Sequence, residues 1–122
     1  MDWGYFLFTA EQAFPSCIVM IAPVPFLAFN ALPGRRLMAC LPNLFALVAF
    51  SLACCLSATP GVEKWQLADY VPIVGLTLTT VLLVPSVLAL RRKWFAVVHI
   101  VTMASAALTF FLAGMAIAHD WL

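Results

Sequence analysis

The chain has 122 residues, of which 66% are hydrophobic and 9% charged, and its formal net charge is +1. Soluble domains carry about 25% charged and ~45–50% apolar residues, and so short a chain has too much surface per volume to hide the surplus. A water-soluble globule, a disordered chain and a nucleic-acid binder are all excluded, and the lipid bilayer becomes the expected solvent.

The charged residues divide the chain into uncharged windows at 12–34, 37–62, 70–90 and 94–119. Crossing a ~30 Å hydrocarbon layer takes about 20 apolar residues at 1.5 Å rise, so each window spans once. None alternates as a barrel strand would, and open strands leave backbone groups unpaired in lipid. The sequence therefore predicts an all-α integral membrane protein, a compact antiparallel bundle of four transmembrane helices at 13–32, 38–57, 70–90 and 94–118. The whole chain, 1–122, forms that single domain.

Residues 2–12 have two readings. Asp2 and Glu11 are wrong for a cleavable signal, which wants a basic start. Trp3, Phe6, Ala10 and Phe14 recur at helical spacing, so the segment either lies along the outer interface or begins helix 1 near Trp3. Helix 1 also contains Pro15, Pro23 and Pro25. Each interior proline removes a hydrogen bond, so Pro23 and Pro25 should leave the Val19 and Ile21 carbonyls without their usual donors. Such breaks either shape packing or line an ion or solute site.

The charge distribution specifies orientation. Arg35, Arg36, Arg91, Arg92 and Lys93 occupy the two loops on one side, whereas Asp2, Glu11, Glu63, Asp69 and Asp120 lie on the other with Lys64. The basic loops are expected in the cytoplasm, with both termini outside, most simply in a bacterial inner membrane. Trp3, Tyr5, Trp65, Tyr70 and Trp121 would form the outer aromatic belt and Trp94 the inner one. Pro33-Gly34 and Pro60-Gly61 punctuate turns.

Small residues allow helices to approach in lipid. Helix 2 offers Asn43, Ala46, Ala53 and Ser57, with Phe50 between, and helix 3 offers Gly75, Thr79 and Ser86. Helix 4 carries His99, Thr102, Ala106, Thr109, Ala113 and Ala116 at alternating spacings of three and four. Three such stripes should meet in the bundle centre.

His99 is the titratable group placed firmly inside a span, at a depth shared with Asn30, Asn43 and Ser86. These four are the candidate solute or proton site, against the alternative that His99 merely locks neighbouring helices. Glu11 is expected at the interface. Cys17, Cys54 and Cys55 share the outer half with Met20, Met115 and His119, which admits a soft-metal cluster or a disulfide from Cys17 to Cys54 or Cys55. The Cys54-Cys55 pair on a membrane helix resembles that of bacterial mercury-uptake proteins, over those two residues alone. The resemblance implies a second pair to pass the ion inward, and Cys40 stands singly on that side.

No serine-hydrolase elbow, zinc-protease motif, phosphate loop or paired acids occur, so neither catalysis nor a cofactor is expected. His99 and His119 are separated by roughly 30 Å of helix and cannot share one haem iron. The leading expectation is a non-catalytic subunit, assembly factor or regulator whose partners are helices of a larger membrane complex. A self-associating transporter or channel comes second, and a soft-metal or thiol protein third.

Overall fold

The computed structural model describes residues 1–59 and 65–119, with the side chains of Trp65 and Gln66 excepted. Pro60-Gly61, Glu63, Lys64, Asp120, Trp121 and the Trp65 side chain therefore lie outside the described residues.

The first helix begins where Asp2 supplies a cap. Its carboxylate accepts the Tyr5 amide at 3.1 Å, satisfying one of the orphan donors of the first turn. From there α1 runs unbroken over Trp3–Ile21. The second reading of residues 2–12 is thus the one observed: helix 1 starts at Trp3 and passes Glu11, which is exposed. Thr9, Ala13, Ser16 and Met20 are its buried positions, spaced as one helical face.

Pro23 opens a second helix, α2 (Pro23–Phe29), at a position where a missing N–H costs least. The joint between them is a continuation. Ala22 keeps right-handed helical angles, and its amide reaches the Ile18 carbonyl at 2.9 Å. Together Trp3–Phe29 is long and apolar enough to cross a membrane.

Gly34, at φ 74°, lets the chain turn back after α2. Then α3 (Arg36–Ser57), α4 (Trp65–Ala89), a 3₁₀ turn at Lys93–Val97 and α5 (Val98–Ala118) complete the bundle. With the first span, these give four candidate membrane crossings. The fourth expected helix, 94–118, enters through a tighter 3₁₀ turn and becomes α-helical only at Val98.

Backbone bonds tie each end of the bundle. At the basic end, Leu32 N–H donates to Ala89 (2.8 Å) and Arg91 N–H to Asn30 (2.8 Å), on either side of a bridge between Ala31 and Leu90. At the opposite end, Asp2 N–H donates to the Ala58 carbonyl at 2.8 Å. The two basic connections are therefore neighbours in space, far from the start of the chain.

The expected stripes form the core. Asn43, Ala46, Phe50, Ala53 and Ser57 are buried on α3, and Gly75, Thr79 and Ser86 on α4. All six expected positions on α5 are buried as well. Two glycines set how closely α4 and α5 approach. A Cβ on Gly75 would lie 2.5 Å from the Phe110 ring, and one on Gly114 would lie 2.9 Å from the Ala68 carbonyl oxygen. Close approach matters in lipid, where van der Waals packing takes over from the hydrophobic effect in associating helices.

Candidate functional site

α5 carries a polar spine that bonds to each of the other spans in turn. In the layer nearest the basic end, the Ser86 hydroxyl donates to the Ala39 carbonyl at 2.6 Å. That commits the only hydroxyl proton, so His99 Nε2, 3.0 Å away, is the donor to Ser86. A neutral Nε2–H imidazole satisfies this geometry. His99 is 4% exposed, and its Nδ1 is the one buried side-chain polar atom without a partner among the described residues.

One turn further along α5, Thr102 meets Asn43. The Asn43 amide donates to Thr102 Oγ1 at 3.2 Å and to the Met20 carbonyl at 2.8 Å. Sequence pointed to the carbonyls of Val19 and Ile21 as the ones freed by the prolines. The carbonyl lying between them, that of Met20, is the one that takes a side-chain donor. Asn43 thereby staples α3 to the proline joint and to α5.

In the third layer Thr109 donates to the Ser105 carbonyl at 2.7 Å, and the Ser16 hydroxyl of α1 meets Thr109. Sequence reasoning missed Ser16. Its signal was available, since Ser16 stands at helical spacing from Ala13 and Met20 on one face of α1.

The candidate ring of Asn30, Asn43, Ser86 and His99 does not assemble as one site. Ser86 and His99 pair in one layer, Asn43 occupies the next, and Asn30 stands apart. Asn30 caps α2 at the basic end, where its amide donates to the Arg92 carbonyl at 3.2 Å in an exposed position. The physical reason is that α2 ends at Phe29, so Asn30 is outside the helical core. Lys93 is committed too, its ammonium donating to the carbonyls of Val87, Leu88 and Leu90 at the end of α4.

The cysteines are free thiols. Cys54 is buried in a cluster with Ala13, Phe50 and Ala53, and Cys17 packs against that cluster, whereas Cys55 is exposed. Cys40 lies on the far side of the bundle, its thiol directed at the Val24 carbonyl. Among the described residues, no group of three or more His, Cys, Asp or Glu side chains is placed to hold a metal.

At the end opposite the basic loops, Tyr5 and His119 stack with ring centroids 4.1 Å apart. The Tyr5 hydroxyl donates to Ala116 (2.8 Å), and His119 Nε2 donates to the Ser57 carbonyl (3.0 Å). His119 takes the left-handed conformation that ends α5. This clasp joins α1, α3 and α5 through residues 114 positions apart, a distance that no local sequence signal covers.

Outside the bundle, α3 and α4 enclose an open groove of about 360 Å³. Phe45, Ala49 and Ala53 contribute from α3, Val74 and Gly75 from α4, and Phe110 from α5. No family model matches the chain, and neither the curated proteins nor the solved structures contain a match to it.

Proposed function

We propose that this chain is a small non-catalytic subunit of a membrane complex, seated against a partner's transmembrane helix along the α3–α4 groove. The observation that carries the reading is the groove itself, an apolar cleft in which the small Ala49 lies beside the exposed Leu52, Val74 and Leu78 and leaves room for another helix. The polar interior agrees with it, because Asn43, Ser86 and Thr102, and Thr109 through Ser16 of α1, are each engaged in hydrogen bonds between helices. Such a protein offers its outer faces to partners and keeps its interior fixed.

The orientation proposed with it places the basic loops in the cytoplasm of a bacterial inner membrane and both termini outside. Its support is the segregation of Arg35, Arg36, Arg91, Arg92 and Lys93 at one end. Alkaline phosphatase fused after Leu122 should be active; an inactive fusion alongside a fluorescent cytoplasmic reporter at the same site reverses the orientation.

Purification from native membranes in mild detergent, followed by mass determination, tests the subunit reading. A defined complex with foreign subunits is expected. A stable monomer without co-purifying protein contradicts it.

A second reading, a small proton-coupled transporter, is favoured by one observation: the unpartnered, buried Nδ1 of His99. In proteoliposomes with an internal pH dye, this reading requires proton flux that His99→Leu abolishes. Equal flux with and without the substitution rejects it.

A further inference from the structure

The basic end holds a second groove, of about 290 Å³, lined by Phe26, Phe29, Asn30, Arg91, Arg92 and Phe95. Its walls are of two kinds. Phe29 is 87% exposed and Phe26 63%, so two aromatic rings stand open at the end of α2. Beside them run two exposed arginines.

The backbone fixes this juxtaposition. Arg91 N–H donates to the Asn30 carbonyl, and the Asn30 amide donates back to the Arg92 carbonyl. The two bonds hold the Arg91–Arg92 main chain against the end of α2, beside its phenylalanines. Lys93 is withdrawn to the α4 carbonyls, leaving the guanidinium groups as the cations of the groove. Among the described residues, neither arginine side chain is paired with an acid or hydrogen-bonded. Asp2 and Asp69, near the starts of α1 and α4, belong to the other end of the bundle, and among the described residues no acid pairs with either guanidinium.

Guanidinium forks bind phosphate oxygens through parallel charge-assisted hydrogen bonds. An occupant must also have an apolar portion to cover Phe26 and Phe29 at membrane depth. We infer that the groove between α2 and the α4–α5 connection is a site for one anionic phospholipid, its phosphate on Arg91 and Arg92 and its acyl chains along Phe26 and Phe29. A zwitterionic lipid carries the same phosphate with a compensating cation, which five basic residues at this end disfavour. Arg35 and Arg36 supply an internal control, being exposed at the same end without lining the groove.

Native mass spectrometry of the detergent-solubilised full chain, offered equimolar dioleoyl phosphatidylglycerol and dioleoyl phosphatidylcholine, tests the site. The unmodified protein should retain phosphatidylglycerol over phosphatidylcholine by about 10-fold or more, since each surface cation contributes several-fold. Arg91→Gln with Arg92→Gln should remove most of that preference, whereas Arg35→Gln with Arg36→Gln should reduce it by less than about threefold. Equal retention of the two lipids by the unmodified protein overturns the inference, and that comparison needs no variant to fold. Equal loss in both double variants also overturns it, because the effect would then be diffuse charge at the interface. Displacement of phosphatidylglycerol by an equal concentration of soluble glycerol 3-phosphate overturns it too, since the groove would then select free phosphate.

Discussion

α4 and α5 are adjacent spans of similar length and apolar character, yet they serve the bundle in opposite ways. Over an apolar stretch of 18 residues, the span ending in α5 (Lys93–Ala118) buries 33% of its residues and the α4 span (Leu67–Ala89) only 17%. The difference lies in how their polar side chains are directed. On α5, His99, Thr102 and Thr109 point inward, and each meets a different helix. On α4, Thr77 and Thr80 are exposed and return their hydroxyls to their own backbone, to Ile73 and Leu76 respectively. A threonine that bonds four residues back satisfies itself in lipid without a partner. α5 is therefore bound by specificity to this bundle, whereas α4 gives one side to it and leaves the other side open.

The largest effect expected from testing that contrast is steric. Gly114→Val places a side chain against the Ala68 backbone carbonyl, which has no rotamer to escape into. It should cost on the order of 1–3 kcal/mol in a detergent unfolding titration. Gly75→Ala meets the Phe110 ring instead, and the smaller loss expected there measures how far that ring can yield.

Next comes the polar spine. Asn43→Leu removes the donor to the Met20 carbonyl and the contact with Thr102, and should destabilise by about 1–2 kcal/mol. Ser86→Ala, which deletes one hydroxyl between His99 and Ala39, should cost about 0.6 kcal/mol, the average for such bonds in membranes. Thr80→Val on the outer face of α4 should leave stability unchanged within about 0.5 kcal/mol. Equal losses at Asn43 and Thr80 would erase the distinction between the two helices.

The expected elements follow from the sequence because charge gaps and small-residue spacing are local signals. The α3 stripe from Asn43 to Ser57 and the α5 stripe from His99 to Ala116 are buried as their periodicity requires. The start of the first span was ambiguous for a physical reason: Glu11 and Pro15 weaken a helical pattern that the Asp2 cap and the end-to-end clasp nevertheless sustain. Bonding partners are set by where the helices end and meet, not by local spacing. Asn30 and Asn43 are the same residue at comparable counted depths, and only the end of α2 at Phe29 separates a surface cap from a buried staple. The spacing of Ser16 from Ala13 and Met20 marks it as buried but not its partner on α5, and the stacked Tyr5–His119 pair depends on contacts between distant segments, which periodicity does not encode.

The most direct test of the central claim, that the interior holds the bundle while the α3–α4 groove receives a partner, is site-specific photocrosslinking in native membranes. A benzophenone amino acid at Val74, on the groove, should trap one discrete foreign protein; the same probe at Ile100, exposed on α5 away from the groove, should label lipid. Lipid adducts alone from both positions, or the same protein trapped equally from both, would contradict the account.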